Sequence, residues 1–587
     1  MNNQCKTVKD VTLSESIFKQ RYVVERNYLN QLKNDNLLQN YYIEAGIKSW
    51  YEKPRDIHWG WESPECQLRG HYLGHWLSAV AKMVHQINDA ELRVKANLII
   101  DELEKCQEVN GGQWVGSIPE KYLYWIAKGR YVWAPQYTLH KLLMGLIDMY
   151  RYTQNEKALK IADSFSDWFF DWTNQFNREE MDNILDYETG GLLEAWADLY
   201  EITKDEKYLS LVERYYRQRL FDKLLLNEDC LTDKHANTTI PEILGVARLW
   251  EVTGEEDYKI IAMNYYHQAV TERGYFCTGG QTNGESWTPK NEIGSRLGNA
   301  NQEHCVVYNM IRLADYLLRW TGDKQYGDYI ERNIYNGLFA QQNIKTGTAL
   351  YYLSLLPNSK KDWGTLEEDF WCCYGTVAQA PTLYPELTYY ECEEGIMISQ
   401  FIPSKYSYTK GETKINLEQK FYQNRPSLLI PGTDEIHFTI ECEKTCMFNL
   451  RIRIPWWSSE TKVKINGANV ILDEVIQDGY LNLSREWLKD TVDVTFIKKI
   501  TFSPTPDMPY LTAFMYGPTV LAGLGDEKTL YTSSNTTAEE LLRPINMNRW
   551  SNVMFYTKTQ VENIRFIPLG DVLEERYTIY FPIERNS

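Results

Sequence analysis

A helical (α/α)6 toroid followed by an antiparallel β-sandwich is the fold predicted for this 587-residue chain. Three observations predict it. A helix–threonine–helix unit repeats along the first two thirds, Gly- and Asn-rich sequence interrupts the repeat once, and near residue 390 the hydrophobic period changes to two.

The repeat reads Ile147-Asp148-Met149-Tyr150-Arg151-Tyr152-Thr153, then Ala197-Asp198-Leu199-Tyr200-Glu201-Ile202-Thr203, then Ala247-Arg248-Leu249-Trp250-Glu251-Val252-Thr253. A fourth copy ends at Trp320-Thr321-Gly322-Asp323. Each threonine precedes a polar turn with an N-cap candidate, the pattern of an αα-hairpin. Further helices expected at 14–30, 70–87 and 89–108 bring the count near the twelve that close a toroid. The last step is longer because of an insertion at 278–301, where repeat arrays usually carry function. After residue 390, Asn449-Leu450-Arg451-Ile452-Arg453-Ile454 and Val492-Asp493-Val494-Thr495-Phe496 alternate apolar with polar, as half-buried strands do. The expected units are 1–389 (barrel), 390–525 (sandwich) and 526–587 (a short β region completing or extending it).

A net charge of −18 disfavours nucleic acid and anionic lipid as partners, and no apolar stretch is long enough to span a membrane. The first residues lack the pattern of a secretory signal, and the eleven cysteines are mostly scattered, so free thiols in the cytoplasm are expected.

The exception to that scatter is Phe370-Trp371-Cys372-Cys373-Tyr374, with Glu303-His304-Cys305 upstream at the start of an amphipathic helix. Three thiols and a carboxylate make a four-ligand set for a borderline-soft cation such as zinc. Cys305 reads equally as a buried small hydrophobe. Glu285, in Gly284-Glu285-Ser286 on the insertion, is a candidate general acid or an ordinary loop glutamate. His71, His75, His140 and His235 sit at expected helix starts, where they can face a polyhydroxyl ligand or simply pack, and Glu188 and Glu194 open another helix.

Together, Gly70-His71-Tyr72-Leu73-Gly74-His75-Trp76, His140-Lys141, Glu188…Gly190-Gly191…Glu194, His235-Ala236-Asn237-Thr238, Glu303…Cys305, Trp371-Cys372-Cys373 and Arg453-Ile454-Pro455-Trp456 resemble the bacterial β-L-arabinofuranosidases of glycoside hydrolase family 127 and the related family 146. The resemblance implies an (α/α)6 barrel with β-sandwich domains and a retaining exo-glycosidase acting on terminal β-L-arabinofuranosides of a small glycan. It implies zinc on Glu303, Cys305, Cys372 and Cys373, with Cys372 as nucleophile, Glu285 as general acid/base, and His140, His235 and His71 as sugar contacts. It also leaves room for a homodimer. The alternatives are the same site acting on another sugar, a glycan-binding protein with structural zinc, and a vicinal-thiol redox switch.

Overall fold

The computed structural model describes residues 5–8, 10–48, 57–427, 431–533, 535–545, 553–558, 560 and 562–586. Twelve helices alternate between an outer and an inner layer, beginning outside: α1 (Ile17–Gln31), α2 (His71–Ile87), α3 (Ala90–Val109), α4 (Pro135–Thr153), α5 (Glu156–Thr173), α6 (Leu192–Thr203), α7 (Glu206–Tyr215), α8 (Ala236–Thr253), α9 (Glu256–Tyr266), α10 (His304–Thr321), α11 (Lys324–Asn333) and α12 (Cys372–Gln379). The even-numbered helices pack in sequence, α2 on α4, α6, α8 and α10, and α12 closes the ring between α10 and α2. The inner helices are buried nearly all round, polar residues such as His71, His75, His140 and His304 included, because they are packed on two sides.

The repeat has one local cause. Thr153, Thr203, Thr253 and Thr321 are the last residues of α4, α6, α8 and α10, and each hydroxyl donates to the carbonyl four residues back. The next residue (Gln154, Lys204, Gly254 or Gly322) turns left-handed, and the one after it is the N-cap of the outer helix. Asn155, Asp205 and Asp323 each accept a backbone N–H there. Because the turns are alike, all six inner helices start at the same end of the barrel. Where α2 and α4 cross, Gly74 meets the Lys141 carbonyl, which a Cβ would approach to 2.0 Å.

The β region forms two sheets. In the first, the long strands 432–453 and 480–498 pair along their whole length, with a bulge between Trp487 and Lys489. One half of 432–453 pairs with 413–424 and the other with 395–398, so the two long strands cross both layers of a sandwich around Phe438, Ile440, Leu450, Trp487 and Val494. The second sheet runs from Ile500 to Asn586, and strands on both sides of residue 525 pair within it. Pairing is antiparallel except 395–398 with 432–453 and 530–533 with 581–586, which are parallel. Among the described residues no helix is long and apolar enough to cross a membrane.

One expectation is corrected. Cys5 and Cys392 form a disulfide, while nine cysteines are free. The partners are 387 residues apart in sequence and meet because Lys6–Thr7 pairs with Tyr389–Cys392, an adjacency that spacing does not reveal. The cytoplasmic expectation loses the support it drew from all-free thiols.

The second sheet also buttresses the barrel. Phe276 and Cys277, just before the insertion, and Ile293 within it share a core with Leu350, Leu353, Met515, Val520 and Tyr580. The Asp507 carboxylate accepts from the Gly294 and Ser295 amides at 2.7 and 2.9 Å and from the Ser295 hydroxyl at 2.8 Å. Asp507→Ala is expected to cost about 1 kcal/mol, discounted for solvent exposure, read as a lowered denaturant midpoint.

Candidate metal centre and active site

Glu303 is the N-cap of α10, Cys305 lies in its first turn, and Cys372 and Cys373 open α12. The convergence of these helix starts is what unites residues nearly seventy apart. The four ligand atoms lie within 4.8 Å of one another, and all four residues are buried. Cys305 Sγ is 3.6 Å from Cys373 Sγ, Cys372 Sγ is 3.9 Å from Cys373 Sγ, and Cys372 Sγ is 3.6 Å from Glu303 Oε1.

These spacings pass a simple test for a metal. Around a tetrahedral zinc with Zn–S near 2.3 Å and Zn–O near 2.0 Å, sulfurs sit about 3.8 Å apart and sulfur and oxygen about 3.5 Å apart. Glu303 Oε2 is buried without a hydrogen-bond partner. Burial pushes all three thiols well above their ordinary range and Glu303 up to about 8, the latter helped by Glu285. Such a donor set stays protonated unless a cation joins it.

The supports are equally specific. The Thr376 hydroxyl lies 3.5 Å from Cys305 Sγ, 3.3 Å from the Cys373 carbonyl and 2.9 Å from His304 Nδ1. Gln302 and Phe370, just before the two ligand pairs, have left-handed φ of 45° and 49°. For a bulky residue such as Phe370 that conformation is strained, and its ring is wedged between His58 and Tyr72, with centroids 4.4 and 4.8 Å away.

Glu285 also has positive φ, 66°, at the turn of a small hairpin, Thr282–Asn283 with Ser286–Trp287. Its carbonyl accepts from the Ala236 amide, and Trp287 bonds Lys234 and Asp233 through its backbone. The hairpin is thereby joined to the loop that carries His235. His235 Nε2 is 3.2 Å from Glu285 Oε2, and the Tyr351 hydroxyl donates to Glu285 Oε1. Burial raises Glu285, but the bonds from His235 and Tyr351 outweigh it and leave its pKa at about 2. Burial pulls His235 down, yet Glu285, Glu188 and Glu303 lift it to about 9. Its Nδ1 has a partner in either protonation state: the Thr238 amide donates at 3.1 Å, or Thr238 Oγ1 accepts at 2.8 Å.

The other histidines lie deeper. His71 is fully buried, with Nδ1 3.1 Å from both the Leu68 carbonyl and Glu62 Oε1, and Nε2 without a partner. The His140 ring rests on Gly190 and Gly191, where a Cβ at either would fall within 3 Å of it, and its Nδ1 has no partner. His75 Nδ1 bonds Gln379. Glu188 stands close enough to His235, Lys141 and Glu285 to interact with each, and burial raises its pKa. Glu194 pairs with Arg312 further along the barrel.

Tyr351 is the residue that sequence reasoning missed. Its hydroxyl is 3.6 Å from Cys372 Sγ as well as bonded to Glu285, and its carbonyl lies 3.7 Å from Cys373 Sγ. Trp61 and Trp371 flank its ring. One tyrosine among 42 carries no signal of its own; its place in the segment between Glu303 and the cysteine pair was the only pointer.

An inner ring of helix starts thus converges on carboxylates and a cluster of buried thiols, groups that can do acid–base and nucleophilic chemistry. The chain belongs to the GH127 β-L-arabinofuranosidase family: residues 10–386 match its catalytic-domain model and residues 395–497 its middle-domain model. Among solved structures it is similar to Ara127N, a GH127 β-L-arabinofuranosidase from Geobacillus stearothermophilus T6, at 18% identity over 98% of this chain and 100% of that one, with a TM-score of 0.75. It is similar also to the GH127 β-arabinofuranosidase BT3674, at 17% identity over 99% and 98% of the two chains, with the same TM-score. No curated protein sequence matches it.

Proposed function

We propose that this glycoside hydrolase releases non-reducing terminal β-L-arabinofuranose from a small glycan with retention, using Cys372 as nucleophile and Glu285 as general acid/base. The observation that carries the reading is the shared Tyr351 hydroxyl. Its two contacts, the longer of them 3.6 Å, hold the Glu285 carboxylate and the Cys372 sulfur within about 6 Å of each other. That matches the short separation of a retaining pair and is too close for an inverting water.

In the first half-reaction Cys372 Sγ bonds the anomeric carbon as its bond to the leaving oxygen breaks, and Glu285 hands that oxygen a proton. In the second, Glu285 takes a proton from water, the water oxygen bonds the anomeric carbon, and the carbon–sulfur bond breaks. Tyr351 orients both reacting groups, and His235 supplies the proton that Glu285 carries. His71 and His140, each with a buried ring nitrogen that has no hydrogen-bond partner, are the further candidates for sugar contacts. Glu303, Cys305, Cys372 and Cys373 would hold zinc, which when bound keeps the sulfurs as thiolates near neutral pH. We further propose that the β region divides at Lys499, between the two sheets.

Zinc content measured beside hydrolysis of an aryl β-L-arabinofuranoside tests this reading. About one zinc per chain and a product formed with retained configuration are expected, and chelation should remove both metal and activity. Hydrolysis with inversion, or full activity in metal-free protein, would overturn it.

A further inference from the structure

We propose that the far end of the barrel holds a second ligand site, a chamber on the barrel axis that takes a neutral polyhydroxyl molecule of monosaccharide size. The helical repeat builds it. Five residues before each hairpin threonine stand Asp148, Asp198, Arg248 and Tyr316, and two residues before it stand Arg151, Glu201, Glu251 and Arg319. All eight line one chamber of about 380 Å³. They belong to the last two turns of α4, α6, α8 and α10, so the chamber lies opposite the helix starts that carry Cys305 and Cys372.

Its lining is charged but already balanced. Five Lys and Arg side chains face five Asp and Glu side chains. The ion pairs join neighbouring helices: Arg151 and Arg248 both meet Asp198, at 2.8 and 2.7 Å, and Arg319 meets Glu251. An ion entering the chamber would bring a buried charge with no counterpart. A hydroxyl needs none, since it donates to a carboxylate and accepts from a guanidinium. The Ser78 hydroxyl already makes such a bond to Asp148, at 2.5 Å.

Two tyrosines point to a ligand. Tyr308 and Tyr316 are 3% and 8% exposed, lie two turns apart on α10, and both line the chamber. Among the described residues neither hydroxyl has a hydrogen-bond partner. That of Tyr308 stands among Arg312, Lys82 and Asp148, and that of Tyr316 among Glu194, Glu251 and Arg248, all groups of the same lining. Buried hydroxyls left unbonded are costly, and ligand hydroxyls beside them would satisfy both. Met144, Ile147 and Ala195 complete the wall with an apolar strip for the C–H face of a sugar ring. The volume falls in the range of about 300–1,000 Å³ usual for small-molecule sites.

The test follows L-arabinose binding to the full chain by NMR of isotope-labelled methionine methyls. Met144, on the chamber wall, is the reporter, and Met144→Leu assigns its signal. L-arabinose is expected to shift that signal saturably, and inorganic phosphate to leave it in place. In the Tyr308→Phe/Tyr316→Phe double variant the Kd read at Met144 should rise about tenfold, the loss of two hydrogen bonds. Its kcat/KM on the aryl glycoside should stay within about twofold of the parent, because neither hydroxyl serves the reacting groups. Should circular dichroism show that the double variant does not fold, Ala195→Leu, which narrows the chamber, decides the same comparison. No shift in the parent, a shift by phosphate instead, or a parent-like Kd in the folded variant would overturn the proposal. A variant that binds and turns over equally poorly would overturn it too, by making the chamber part of the catalytic site. The binding readout does not depend on Cys372 or Glu285, so a failure of their proposed roles would leave this result standing.

Discussion

Cys372→Ser is expected to lower kcat on an aryl β-L-arabinofuranoside by at least about a thousandfold while leaving the fold intact, because a hydroxyl at this place is a far weaker nucleophile than a thiolate. Cys373→Ser removes a neighbouring sulfur of the same cluster, 3.9 Å away, but not the attacking atom. Its loss should follow zinc occupancy and be partly restored by excess zinc, whereas Cys372→Ser should not respond. Intact-mass measurement on substrate-treated parent protein should find one pentosyl unit on the peptide that carries Cys372. A Cys372→Ser variant turning over at the parental rate would remove the sulfur from the mechanism.

This contrast between two adjacent cysteines rests on the turn that presents them. The left-handed Phe370 directs Cys372 toward Tyr351 and Glu303, and Cys373 toward Cys305. Gly375 lets the α12 backbone approach the His75 ring, which a Cβ there would meet at 2.2 Å. Backbone strain of this kind persists only where packing over-determines it, and here it supports the candidate site.

Much of this arrangement was legible in the sequence because it is written in local chemistry. The threonine that ends each of α4, α6, α8 and α10 bonds its own preceding turn, so its spacing reports the hairpin directly. The vicinal cysteines stood out because adjacent thiols between aromatics have no packing rationale. What was illegible depends on long-range adjacency. The Cys5–Cys392 bond, the seating of the insertion on the second sheet and the role of Tyr351 all join residues brought together only by the closed fold. Alternation of apolar and polar residues marked the strands but not the bulge at Trp487, which carries the two long strands from one layer to the other.

The pH profile offers the second large effect. With Glu285 held at about 2 and His235 lifted to about 9, the pair carries one proton through the neutral range, and it rests on His235 beside an ionised carboxylate. The sign follows directly. A general acid must be protonated to act, so kcat/KM should hold through neutral pH and fall as pH rises through about 9, where the pair loses that proton. A lowered carboxylate pKa keeps the base form available for the second half-reaction down to strongly acidic pH, so Glu285 itself imposes no loss near pH 4 or 5. Glu285→Ala should cost about 10²- to 10⁴-fold on a substrate with a poor leaving group and much less in the first half-reaction when the leaving group is a dinitrophenolate, which needs no proton. His235→Gln should shift the alkaline limb by removing the residue that holds the proton, while keeping a donor to Glu285. An alkaline limb unmoved by His235→Gln, together with equal losses on good and poor leaving groups for Glu285→Ala, would assign proton transfer to another group.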